Sequence, residues 1–209
     1  MYGLTKIILH HSFFKNVTTV SRCDGHTNHD GTNSAGKSTL LALIPIFYGE
    51  TPSNLMDKAA NKVSFQKFYL PSFASMLAFE YQRVDGPRCA VIYRNGEHFV
   101  YRFIVGSFED TFQSEQNKAK LAKGMAISEI IGDFSSQGIE YSVQLDNSVK
   151  YRAIIQNNKK IMNSYGSSEK RQLRGLSYQY CQVSPDTHMS HIHHLATAIV
   201  KKNQIVKLF

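Results

Sequence analysis

Cysteine is scarce in this chain. Cys23, Cys89 and Cys181 stand far apart with no C-x-x-C spacing, which argues against a disulfide framework or a cysteine-rich zinc site and makes a reducing cytoplasm the expected setting. No apolar run approaches the roughly 18 or more residues that a membrane span needs, so no membrane partner is expected. The opening stretch from Met1 to Leu9 has one lysine and a short apolar run followed by His10 and His11, and reads as a first strand rather than a secretion signal. The local signatures of Ser-His-Asp and Cys-His nucleophiles are missing, as is H-E-x-x-H. Internal repeats and low-complexity tracts are missing too. Acids are outnumbered, 16 Asp and Glu against 24 Lys and Arg, for a net charge of +8. That imbalance points to a polyanionic partner, DNA first, or else to a merely solvated basic face. Much of the excess lies late, in Lys118, Lys120 and Lys123, then Lys159, Lys160, Lys170, Arg171 and Arg174, then Lys201, Lys202 and Lys207.

The most specific feature present is Gly31-Thr32-Asn33-Ser34-Ala35-Gly36-Lys37-Ser38-Thr39, a complete G-x-x-x-x-G-K-[ST] phosphate loop. Gly31 and Gly36 permit turns closed to residues with a side chain, so that successive N–H groups face phosphate oxygens. Lys37 reaches the β- and γ-phosphates, and the Ser38 hydroxyl is placed to ligate Mg²⁺. The expected ligand is therefore a nucleoside triphosphate with magnesium. The apolar stretch from Thr39 to Ile44 should open a helix with its positive end toward the phosphate, and Pro45 should end or kink it near Ile44. Upstream, Val17 to Val20 reads as a short strand, and Asp24 to Asn28 as a turn with a short extended segment.

Three parts are expected within a single lobe of 1–209: a P-loop core over 1–60, an antiparallel β-meander over 61–106, and a mixed helical part over 107–209. Leu55 to Lys62 is a candidate short helix. The meander comprises Met76 to Tyr81, a turn over Val84 to Pro87, Cys89 to Arg94, an Asn95-Gly96 hairpin signal, and Glu97 to Val105. Further on, helices are expected over 118–125, 126–131, 149–162 and 188–200, a strand over 140–145, and a loop over 164–168. Phe65, Phe68, Tyr69 and Phe73, interleaved with Lys62 and Lys67, read as core aromatics, with base stacking as the other possibility. His188, His191, His193 and His194 read as a solvent-facing cluster, with a metal site as the other possibility. Met76 to Glu80 superficially resembles a Walker B strand but lacks its aspartate, and reads as a plain strand.

With these residues in view, the chain resembles the N-terminal lobe of an ABC-type ATPase head of the SMC, MukB and RecN kind. The match rests on Phe13-Phe14-Lys15, the Asp24 to Asn28 approach, the Gly31 to Thr39 loop with Asn33 at its third position, Leu40 to Gly49, and a meander directly after the P-loop helix. The resemblance implies an α/β P-loop NTPase half-head with an antiparallel β-meander and a C-terminal helical part. It further implies ATP and Mg²⁺ as cofactors, DNA as a partner, and a C-terminal lobe or second head subunit that completes the site. A Q-loop glutamine should contact Mg²⁺; Gln182, in Tyr178-Gln179-Tyr180-Cys181-Gln182-Val183 and read near a strand end, is the candidate, with Gln179 second.

The sequence also departs from that pattern. Neither a Ser-Gly-Gly signature loop nor an apolar strand ending in Asp-Glu occurs in the 209 residues, and without a positioned base a P-loop hydrolyses nucleotide very slowly. Ser34 stands where many relatives have glycine, and His29 where an apolar residue is usual. Sustained heptads are missing as well. The resemblance thus implies a fragment, a truncated product, or half of a split ATPase. Two other classes stay open. One is a stand-alone P-loop enzyme such as a small-molecule or nucleotide kinase, the other an interaction module that binds nucleotide for structure alone.

Overall fold

The computed structural model describes residues 3–23, 40–52 and 64–182. In chain order its elements are β1 Gly3–His10, β2 Thr18–Arg22, α1 Ile44–Phe47, α2 Phe65–Tyr69, β3 Met76–Arg83, β4 Gly86–Asn95, β5 His98–Val105, α3 Phe108–Thr111, α4 Glu115–Ala122, α5 Ile127–Gly132, α6 Ser148–Ile155, α7 Lys159–Asn163 and α8 Ser167–Tyr180. The chain divides into two compact units, one of Met1–Thr27 with Val63–Asn147 and one of Asn28–Lys62 with Ser148–Phe209. The fold is mixed α/β. The expected helices over 55–62 and 188–200 lie outside the described residues.

The first unit is built on a five-stranded antiparallel sheet in the order β2-β1-β3-β4-β5. The continuous apolar run Met76-Leu77-Ala78-Phe79 lacks alternation because β3 is the central strand, buried on both faces. One face carries Ile8, Met76, Ala78, Cys89, Val91 and Tyr93 in a core with Phe108, Phe112 and Phe134. Each such ring contributes roughly 1.5–3 kcal/mol on burial. That cover holds α3 and α5 in place, since helices of 4 and 6 residues do not persist alone.

The meander follows the expected order but not the expected turns. β3 and β4 are joined by Val84-Asp85 alone, and Gly86 and Pro87 already pair with Arg83 and Gln82. Pro87 is tolerated because it stands at the start of its strand. The Asp85 carboxylate closes this turn, taking Arg83 Nε at 2.9 Å and Arg88 Nη2 at 2.8 Å. The second hairpin turns on Gly96-Glu97, with Asn95 paired to His98. Gly96 has φ 62° while Glu97 is not among the positive-φ residues. This is the pattern of a II′ turn, so the glycine occupies the first central position instead of the second.

The strand expected over 140–145 is two isolated antiparallel bridges, Ile104 to Tyr141 and Tyr101 to Leu145. The reason is Ser142. Its Oγ accepts from Phe103 N at 2.9 Å, in place of a backbone carbonyl, and its own N donates to Phe103 O at 2.8 Å. The segment still covers the outer edge of β5.

In the second unit the helix expected over 149–162 is split into α6 and α7. Asn157 adopts φ 48°, and Asn158 caps α7 by accepting from Ile161 N at 3.1 Å. Two adjacent asparagines at a left-handed step and an N-cap outweigh the apolar periodicity. The loop expected over 164–168 ends early, and the 14-residue α8 occupies a stretch for which the sequence suggested a strand near Gln182.

Candidate functional site

All nine residues from Gly31 to Thr39 lie outside the described residues. The segment that leaves them is described, however. Leu40 and Leu41 are helical, and Leu43 N donates to Leu40 O at 3.0 Å in a tight turn. The break falls at Ala42-Leu43, upstream of the position expected from Pro45. Pro45 instead lies in the first turn of α1, where its missing N–H is no loss.

A four-residue helix has carbonyls to satisfy at its end, and each is accounted for. Glu50 N donates to Pro45 O and Gly49 N to Ile46 O, both at 2.9 Å, a Schellman closure. Tyr151 Oη donates to Phe47 O at 2.8 Å, and Gln156 Nε2 to Tyr48 O at 2.7 Å. Gly49 has φ 93°, and a Cβ there would lie 2.7 Å from Arg152 Cβ. Only glycine fits. The segment after Thr39 is thus anchored by Tyr151 on α6 and by Gln156 just beyond its end, with Gly49 packed against Arg152.

Gln182 follows α8 directly, after the cap residue Cys181. The strand-end placement expected from the sequence is therefore corrected to a helix end. Its backbone N donates to Ile155 O at 3.0 Å, which ties it to the end of α6. Its side chain is 4% exposed, and Oε1 has no hydrogen-bond partner. A buried acceptor left in this state costs roughly 1–3 kcal/mol. Gln179, the second candidate, is exposed on α8.

The reactive groups of the sheet unit are committed to structure. Glu80, at the end of the Walker B-like run, is 6% exposed; it pairs with Lys6 Nζ at 3.0 Å and accepts from Phe108 N at 2.8 Å at the start of α3. Lys6 also reaches Glu109 at 2.8 Å. Burial pushes the Cys89 thiol well above its usual range, so it is no nucleophile. Phe65 and Tyr69 are core residues, and burial pushes the Tyr69 hydroxyl up to about 12. Phe73 is exposed, with Arg94 5.1 Å over its ring. His188, His191, His193 and His194 lie outside the described residues. Among the described residues no group of three or more His, Cys, Asp or Glu side chains can hold a metal, and no helix is long and apolar enough to cross a membrane.

Charge is concentrated on the second unit. Residues 148–182 carry seven Lys or Arg and one acid, Glu169, and that acid is paired with Lys150 at 2.8 Å. The helix that presents much of this charge, α8, was missed in the sequence. Its signal was Leu173, Ser177 and Tyr180, buried at helical spacing but diluted by Ser167, Ser168 and Gly175.

The family DUF3584, described as a protein of unknown function, matches residues 8–207. The chain belongs to that family. The DUF3584 match includes the Gly31 to Thr39 motif, the anchoring residues on α6, and Gln182. No curated protein and no solved structure matches the chain.

Proposed function

We propose that this DUF3584 chain is the ATP-binding N-terminal lobe of an SMC-like ATPase that acts on DNA, and that hydrolysis needs a second lobe carrying the signature loop and the Asp-Glu strand. The observation that carries the reading is the Gly31 to Thr39 motif running directly into helical Leu40 and Leu41. Lys37 and the loop amides would hold the phosphates, and Ser38 the metal. Gln182 fits the same metal, because its unpartnered Oε1 is a neutral, hard oxygen donor of the kind Mg²⁺ accepts. Mg²⁺, when bound, supplies charge neutralisation at the phosphates. Anchoring α1 on α6 supports the reading further, since it gives the segment after the loop a fixed exit.

The kinase alternative needs a parallel strand ending in an acid. All five described strands are antiparallel, and Glu80 is already engaged by Lys6 and Phe108 N. The basic residues of 148–182 support a polyanion such as DNA as partner. An ATPase assay on the isolated chain, run beside a nucleotide-binding measurement, tests the proposal. Binding without turnover is the expected result; robust turnover by the chain alone would assign it to the stand-alone enzymes.

A further inference from the structure

Strand β2 is one edge of the sheet, and among the described residues it pairs with β1 alone. The ladder shows which of its backbone groups face outward. His11 N donates to Val17 O at 3.0 Å, and Cys23 N to Thr5 O at 2.7 Å. Bonded and non-bonded positions alternate along an antiparallel pair. Val17, Thr19, Ser21 and Cys23 therefore face β1, while Thr18, Val20 and Arg22 turn their N–H and C=O groups away from it. The opposite edge of the sheet, on β5, is covered by bridges to Tyr141 and Leu145. Strand β2 has no such cover among the described residues. It also has few protections of its own: five residues with no proline, no bulge against β1, and Arg22 as the single charge.

The side chains indicate what completes this edge. Directly opposite residues share a face of the sheet, so Val20, Ile8, Ala78 and Val91 form one row across β2, β1, β3 and β4. Ile8, Ala78 and Val91 are fully buried, but Val20, the last member of the row, is 44% exposed. An apolar, β-branched residue on a further strand would continue the row. A second β2 supplies one. Laid antiparallel about Val20, two copies set Val20 against Val20 and Thr18 against Arg22 on either side. Every outward-facing group is then paired, in about six backbone hydrogen bonds. Like charges are not opposed, since each Arg22 meets a threonine. The strand is thus complementary to itself about a two-fold axis, as an isologous contact requires. An acidic peptide would find only Arg22 on β2 to attract it.

We infer that two copies of this chain associate through β2, edge to edge and antiparallel, so that their five-stranded sheets join into one continuous sheet. The contact needs neither nucleotide nor DNA, and so goes beyond the proposed function without resting on it.

Sedimentation equilibrium of the full 209-residue chain without nucleotide tests it. A monomer–dimer equilibrium is expected, with a Kd on the order of 10–100 μM for so short a contact. Val20→Pro should weaken association on the order of tenfold or more, and should stay folded because the N–H it removes faces away from β1. Val20→Lys keeps every backbone group, sets two ammonium groups opposite each other, and should weaken association as well. Circular dichroism verifies that both variants are folded, and Lys37→Ala should dimerise like the wild type. A wild-type chain that stays monomeric throughout that range overturns the inference, and so does a dimer unchanged in Val20→Lys. Dimerisation seen only with Mg·ATP and lost in Lys37→Ala also overturns it, and would assign the contact to the nucleotide site. A monomeric chain that binds the probe peptide Glu-Val-Thr-Val-Thr-Glu, and loses it in Val20→Pro, would give the edge to an acidic partner strand and overturn the pairing of two copies. Retained ATP binding by a monomeric chain would leave the proposed function standing.

Discussion

The Tyr151 hydroxyl donates to the carbonyl of Phe47 across 2.8 Å, both groups buried, and so fixes α1 to α6. Tyr151→Phe removes that buried hydrogen bond while keeping the ring. A loss of roughly 1–3 kcal/mol in urea unfolding is expected, and an unchanged midpoint would show that the anchor contributes nothing.

Gln182→Met separates structure from ligand binding. Replacing a buried, unpartnered amide by an apolar side chain of similar length should be neutral or stabilising in the nucleotide-free chain. The same variant should lose the Mg²⁺-dependent part of ATP affinity. A destabilised variant with full Mg²⁺ dependence would make Gln182 a structural residue only.

Acid sensitivity is expected from the sheet. Burial, and then the neighbouring His11, lowers His10 to about 4 against a smaller opposing contribution from the Leu121 backbone; its Nδ1 meets Thr18 Oγ1 at 2.8 Å. In the unfolded chain a histidine titrates near 6.5, so between those values the unfolded state binds the proton and the native state does not. Stability is therefore complete above about pH 6.5 and falls by up to roughly 3 kcal/mol as pH drops toward 4. His10→Gln should remove this slope in unfolding measurements across the window, and an equal slope in the variant would place the titration elsewhere.

The sequence made the sheet legible where turn chemistry and apolar runs agreed, as in β3 to β5. It misplaced both hairpin turns, because Gly96 and Gly86 mark positive-φ positions without saying which turn position they fill. The split between α6 and α7 was hidden because Asn157 and Asn158 are weak against the periodicity of Tyr151, Ile154 and Ile155. Helix α8 was hidden by its polar composition. At the candidate site, Gln182 was picked out by residue type, but its burial and its free oxygen depend on the end of α6 meeting the end of α8. No local pattern reports that meeting. The anchoring of Phe47 and Tyr48 by Tyr151 and Gln156 joins positions more than a hundred residues apart, 104 and 108, and was equally out of reach.

The most direct test of the proposed function is isothermal titration of Mg·ATP into the wild-type chain and into Lys37→Ala, with circular dichroism to verify that both are folded. Lys37 carries the one side-chain charge of the motif that reaches the phosphates. The expected result is saturable, Mg²⁺-dependent binding to the wild type and none to the folded variant. Equal affinity in the two, or no binding to either, would contradict an ATP-binding lobe.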